Sequence, residues 1–496
     1  MSRLAWSHGV LLGAALGLLP LVAAAADAAP TEFPTAPPVS GPAAALQVPV
    51  PSMQTLPNGL RVISVRRADL PLVTARLIVR SGGEMDPVQK AGLADLTANL
   101  LTRGAAGKSA PQIAAAAEAL GGSLEAAAGW DESALGITVT TPKLPQALKL
   151  LASVVRHPDF APAELKRAQT QAEDDVRLAL SQPVALASLA AGRGVFGGGA
   201  YGHSRTGTPA SIARITRDDV VRLHALLYRP DNAILVLAGD ITPVQAMDLA
   251  QVGFGDWQKP ATPLPTKPAS TTSSVLPALV LIDQHGAGQA GVVAAHIAPP
   301  RKDPSYYAGV VANAVLGGSY SARLNQEIRI KRGLSYGASS RLQPLADTGL
   351  WLAAAQTKNP SAPEVVALMR QQFAQLGDEP VAAAELAARK ATLIGGYGRS
   401  LETTAGLAQQ VGDLAVYGLP LADIGSYAAR VQAVTPKEVT RYAHEWLGAK
   451  HLHLVVVGDA AQFAPALQKA NAKALLLDAG TLNLDSANLR PQVAQH

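Results

Sequence analysis

The 496-residue sequence has no cysteine. Disulfides, a thiol nucleophile and a lipid anchor carried on cysteine are therefore excluded. Charge is sparse as well. Only 16% of residues are charged, and 42 Lys and Arg against 37 Asp and Glu leave a formal net charge of +5. No Lys/Arg-rich run is interleaved with aromatic residues, so a nucleic-acid partner is not expected. Beyond the N-terminus no stretch of 18 uninterrupted apolar residues occurs, which leaves the interior without a membrane span. A serine hydrolase is not expected either. What remains is a chain that is 48% hydrophobic, long enough for large cores and too long for a single one.

At the N-terminus, Arg3 precedes the apolar run GVLLGAALGLLPLVAAAA and then a string of small residues. This pattern predicts a secretory signal peptide over residues 1–26, with cleavage near Ala26. An uncleaved anchor is the alternative; Pro20 and the A-x-A ending favour cleavage. The mature chain is expected to be exported, without a membrane contact after cleavage, and periplasmic if the source is a Gram-negative bacterium. A Pro/Ala-rich arm follows over residues 27–50. The second Pro-rich stretch, KPATPLPTKPASTTSS at residues 259–274, reads as an interdomain linker. It separates a domain at residues 51–258 from one at 275–462, leaving a tail at 463–496.

The two halves look like copies. ITRDDVVRLHALLYRPDNAILVLAGD closes the first and VTPKEVTRYAHEWLGAKHLHLVVVGD the second. Thr216 to Gly239 and Thr435 to Gly458 each span 23 positions (239 − 216 and 458 − 435), and each passes from a threonine N-cap through an amphipathic helix and a strand to Gly-Asp. ANLLTRG echoes ANAVLGG in the same order. Within a half, LRVISVRR and VTARLIVRSG read as neighbouring strands joined by a short turn. SAPQIAAAAEALGG reads as a helix capped by Ser109 and stopped by Gly121. The expected fold class is α+β: two duplicated domains, each a mostly antiparallel sheet covered by helices on one face.

With these motifs in order, the chain resembles the pitrilysin/insulinase family of zinc peptidases. The resemblance runs from about Met53 to Asp459. It is carried by LPNGLRV, SGGEMDPVQKAGLADLTANLLTRG, YGHSRTGTPASIARIT, SYSARLNQEIRIKRGLSYG and the two Gly-Asp strand ends. It implies a clamshell half that encloses unfolded peptides. The family's chemistry rests on His-x-x-Glu-His, whose histidines one helical turn apart hold Zn²⁺ while the glutamate activates the metal-bound water. Laid on this sequence, those slots hold Asp95, Ala98 and Asn99, and the distant ligand slot falls best on Asp175. Neither histidine is present, and Ala98 cannot take a proton. Two carboxylates and an amide suit Ca²⁺ or Mg²⁺ better than Zn²⁺, but no further ligand loop is evident, so no metal or other cofactor is assigned to this chain.

The family also uses an arginine and a tyrosine from its non-zinc domain to meet substrate carbonyls and the developing oxyanion. The resemblance places them at Arg329 and Tyr336, with Arg332 as the alternative arginine. It implies a non-catalytic subunit, closed against a related chain whose intact motif holds the zinc. The alternative is a peptide-binding or structural scaffold without peptidase activity. GAAGKS fails as a phosphate loop, because Thr102 stands where the first glycine is needed. His451 and His453 share a strand face without an evident third ligand, and the Gly-rich FGGGAYGHSRTG with His203 reads as a flexible or tightly turning loop.

Overall fold

The computed structural model describes residues 48–448 and 452–491. The predicted signal peptide, the arm up to residue 47 and His451 lie outside the described residues. Among the described residues no helix is long and apolar enough to cross a membrane.

Strands in the first half are β1 (Ser52–Thr55), β2 (Arg61–Arg66), β3 (Leu72–Val79), the short ribbon β4 (Gly104–Ala105) and β5 (Lys108–Ser109), then β6 (Glu125–Ala128), β7 (Ser133–Thr140) and β8 (Ala233–Gly239). Apart from the ribbon they form one sheet in the order β1-β2-β8-β3-β7-β6. The second half gives β9 (Leu279–Asp283), β10 (Ala290–Ala298), β11 (Ser335–Pro344), β12 (Gly349–Thr357), β13 (His453–Gly458) and β14 (Leu475–Asp478). Their order is β11-β12-β10-β13-β9-β14. The path β2-β8-β3-β7-β6 is repeated by β9-β13-β10-β12-β11 in order and direction, with one parallel pair at the start and antiparallel pairs after it.

The repeat is held by matching local chemistry. Thr216 and Asp219 form a reciprocal cap at the start of helix Arg217–Leu227, as Thr435 and Glu438 do for helix Pro436–Trp446. Each following strand ends on a glycine with positive φ, 137° at Gly239 and 158° at Gly458. A Cβ on Gly239 would lie 2.0 Å from the Leu72 carbonyl oxygen, and one on Gly458 2.5 Å from Asn359 Oδ1. Only glycine lets the chain pass so close to its neighbours.

Two expectations are corrected. LRVISVRR and VTARLIVRSG become β2 and β3, but β8 is inserted between them, parallel to β2 and antiparallel to β3. β8 is buried along its whole length, and a central position buries both its faces and pairs both its edges. Nor are the helices confined to one face of each sheet. Ile63, Val65, Ile78 and Val236 of the first sheet pack against Leu407, Val411 and Leu414 of helix Thr404–Val416, which belongs to the second half. Reciprocally, Leu186, Ala187 and Ala190 of helix Pro183–Phe196 cover Val280, Val293 and Val455 of the second sheet. The approach is close: a Cβ on Gly412 would lie 2.6 Å from Ile78 Cδ1, and one on Gly291 2.5 Å from the Pro183 backbone. Each half thus closes the other's sheet, so hydrophobic burial ties the two halves together.

The proline-rich segment between the sheets is pinned in place. Ala200 donates to the Ala269 carbonyl at 2.9 Å, and Gly198 donates to Thr272 Oγ1 at 2.8 Å. Residues 197–204 are correspondingly close-packed, and His203 is buried against Trp130 with ring centroids 5.2 Å apart. Beyond residue 463 the chain continues to fold. β14 extends the second sheet along β9, and the Asp485 carboxylate accepts from Thr208 Oγ1 at 2.9 Å.

Candidate functional site

The helix Leu93–Leu100 carries the three degenerate motif positions. Its start is fixed by Asp86, whose buried carboxylate accepts from the Gly92 and Ala94 N–H groups, each at 2.9 Å. Burial pushes this carboxyl well above its ordinary range, while the two N–H groups pull it back. Leu93, Leu96 and Leu100 enter the first core, as their spacing predicts.

Asp95, Asn99 and Asp175 line one cleft of about 440 Å³ between this helix and helix Pro162–Leu180. The sequence-derived slots are therefore brought together, with one exception. Ala98 is fully buried against Ala94 and Ala128, not on the open face with Asp95 and Asn99. The remaining polar groups already have partners. Asp95 Oδ1 accepts from Arg205 Nη1 at 2.8 Å, and the same nitrogen donates to the Ala128 carbonyl. Asn99 Oδ1 accepts from Arg103 Nε at 3.3 Å, and Asp175 Oδ1 from Gln171 Nε2 at 2.8 Å. A guanidinium thus already pairs with the carboxylate in the first histidine slot. Among the described residues no three His, Asp, Glu or Cys side chains converge as metal ligands. These residues do not fit a catalytic zinc: the imidazoles and the base are replaced, and Asp95 is paired with a cation.

Arg329 and Tyr336 lie elsewhere, outside that cleft. Arg329 belongs to a π-helical turn, Gln326–Ile330, a geometry often found at functional positions. Its guanidinium sits 4.8 Å from the Tyr320 ring centroid, and it makes no ion pair among the described residues. Arg332 is committed elsewhere, to Glu327 Oε2 at 2.5 Å and the Glu327 carbonyl at 3.0 Å. Tyr336 is 88% exposed. It rides on an irregularity of β11 between Ser335 and Ala338, where an unpaired residue is turned outward. The string GLSYG around it has the G-x-S-x-G spacing, but Ser335 opens a strand and its hydroxyl donates to the Gly337 carbonyl at 2.6 Å. The strand-to-helix elbow of a serine nucleophile is absent.

Four residues of these sites were missed as such in the sequence: Asp86, Arg205, Tyr320 and Asn325. All four lie inside the motifs quoted above, which was the available signal. Buried Asn325 donates to the Tyr320 carbonyl at 2.6 Å and accepts from the Ala338 N–H at 3.2 Å, tying the arginine-bearing turn to β11. His453 sits on β13 and packs against Gly194, while His451 is outside the described residues.

The profile of the insulinase peptidases (peptidase family M16) matches residues 61–193, and that of the peptidase M16 inactive domain matches residues 214–393. Together they cover most of the two-sheet fold. The chain belongs to the M16 peptidase family. An uncharacterized zinc protease of Streptomyces coelicolor is 24% identical over 400 residues, covering 80% of this chain and 87% of that protein. The crystal structure of a peptidase M16 inactive domain from Pseudomonas fluorescens is 28% identical with a TM-score of 0.75, covering 82% of this chain and 98% of that one. A protease structure from Helicobacter pylori shares the fold, with a TM-score of 0.76 at 20% identity over 83% of this chain and all of that one. This M16 chain therefore has the family's architecture and a zinc helix without zinc-binding chemistry.

Proposed function

We propose that this chain is the exported, non-catalytic subunit of a two-chain M16 metallopeptidase. It closes the peptide chamber against a related chain that carries an intact His-x-x-Glu-His motif and the zinc, and it supplies Arg329 and Tyr336 to the substrate. One observation carries this reading: the two faces differ in what is free to act. In the zinc-motif cleft Asp95, Asn99 and Asp175 each already accept a hydrogen bond from an internal partner. On the second half, the Arg329 guanidinium meets only a tyrosine ring and the Tyr336 phenol has no internal acceptor among the described residues. Both are donors suited to a substrate carbonyl or an oxyanion.

The test begins with co-purification from the native host, then peptide hydrolysis by each chain alone and mixed. This chain alone is expected to be inactive and to hold no stoichiometric zinc, yet to activate its partner. In the complex, Arg329→Ala and Tyr336→Phe should each lower kcat by about 10²-fold, the usual effect of removing one oxyanion donor. One tightly bound zinc per isolated chain, or unchanged turnover in both variants, would refute the assignment.

A further inference from the structure

A second cavity, of about 320 Å³, lies where the turn between β6 and β7 meets the loop after β10 and helices of the second half. Nothing in the peptidase reading uses it. Five of the chain's ten tyrosines line it, although aromatic residues make up only 4% of the sequence. Four of them form a continuous wall. Tyr397 and Tyr427 stack with centroids 4.0 Å apart, Tyr427 meets Tyr307 at 5.8 Å, and Tyr307 meets Tyr306 edge-on at 5.1 Å. The hydroxyls of Tyr306, Tyr307 and Tyr427 make no hydrogen bond among the described residues.

Most charges at the cavity are already spoken for. Asp423 pairs with Arg430 at 2.5 Å, and Glu132 with Arg76 at 2.9 Å. Asp131 accepts from Tyr201 at 2.5 Å and from the Ala346 N–H at 3.1 Å. Two groups differ. Arg301 lies 3.7 Å above the Tyr306 ring and has neither an ion pair nor a side-chain hydrogen bond among the described residues. Asp413 accepts from Gln409 at 2.6 Å and has no cationic partner there. One guanidinium and one carboxylate therefore line the same cavity without neutralising each other. An unpaired guanidinium there is costly and an unpaired carboxyl holds its proton, so a ligand that brings an anion to Arg301 and a cation that ionises Asp413 is favoured at each end.

We propose that this cavity binds a small zwitterion, an α-amino acid or dipeptide, with its carboxylate on Arg301, its ammonium on Asp413 and its side chain against the tyrosine wall. The volume is at the lower end of that of small-molecule sites, and the lining mixes six aromatic rings with seven polar or charged side chains, which suits a ligand with an apolar side chain and charged ends. Tyrosine faces also favour an ammonium beside them, which a neutral apolar ligand would not exploit.

Calorimetric titration of the full chain with L-phenylalanine and glycyl-L-phenylalanine tests this. N-acetyl-L-phenylalanine lacks the ammonium, and L-phenylalaninamide lacks the carboxylate. Saturable binding of at least one zwitterion is expected, with the blocked probes weaker by about 10-fold or more, the worth of one charge-assisted hydrogen bond. The variants should cross over. Arg301→Gln should stop distinguishing the zwitterion from the amide, and Asp413→Asn should stop distinguishing it from the acetylated probe. Circular-dichroism melts of the ligand-free variants check that both fold. No saturable heat with either zwitterion up to about 10 mM, or blocked probes that bind as tightly, would overturn the proposal.

Discussion

Asp413→Asn offers a measurement whose size follows from the structure. Burial, followed by the charge of Glu132, raises the Asp413 carboxyl from its ordinary 3.8 to about 7, against the opposing pull of the Gln409 hydrogen bond, Arg76 and Arg301. These groups face it from the β6–β7 turn, from β3, from the loop after β10 and from its own helix. The sign follows from linkage. With the folded pKa above the unfolded one, the native state holds the proton more tightly, so the stabilisation is complete below about pH 4 and is lost as pH rises through about 7. Between pH 5 and pH 8 the wild type should lose about 3 kcal/mol relative to Asp413→Asn, at about 1.4 kcal/mol for each pH unit up to the folded value. Asparagine keeps the size of the side chain and can still accept from Gln409. Urea unfolding of both proteins at the two pH values gives the difference directly. A gap between variant and wild type that is the same at pH 5 and pH 8 would refute an Asp413 carboxyl raised toward neutrality.

Two other predictions rest on packing. Rebuilding the family motif with Asp95→His, Ala98→Glu, Asn99→His and Asp175→Glu should lower the melting temperature and still give no stoichiometric zinc while Arg205 remains; Ala98 has no exposed surface, and burying a glutamate there costs on the order of 3 kcal/mol or more. Metal analysis beside a thermal melt checks both parts, and stoichiometric zinc at an unchanged melting temperature would sink the idea. Leu407→Ala should cost about 2–5 kcal/mol as a buried large-to-small change. Because Leu407 covers the first sheet from the second half, the loss should lower one cooperative transition; two separated transitions would show that the halves unfold independently.

Local chemistry was legible in the sequence, and contacts across the fold were not. The threonine caps, the Gly-Asp strand ends and the leucine stripe of the zinc helix are set by residues within a few positions of one another, so their patterns survive in one dimension. The convergence of Asp95, Asn99 and Asp175 was legible only through the family resemblance. Insertion of β8 between β2 and β3 joins segments some 170 residues apart, and no local period reports it. The pairing of Arg205 with Asp95 spans 110 positions, and the packing of Leu407 on Ile78 spans 329 (407 − 78). Strands buried on both faces gave a hint, since β8 reads as a continuous apolar run and not as alternation.

The exchange of helices also explains how this chain can depart from the family's chemistry and keep its fold. Stability rests on two sheets whose outer faces are sealed by each other's helices, and none of the motif positions contributes to those seals. Asp95 and Asn99 open onto a cleft, where exchanging one polar side chain for another changes little apolar burial. Ala98 is the opposite case, a small buried residue that packs helix Leu93–Leu100 against β6 through Ala128. The base slot is buried, while the first histidine slot is held in an ion pair with Arg205. Reversal therefore needs both a cavity and a vacated charge site, which no single substitution supplies. The chain is thus held away from the zinc chemistry by its own packing and pairing, at the buried Ala98 and at Asp95 beside Arg205.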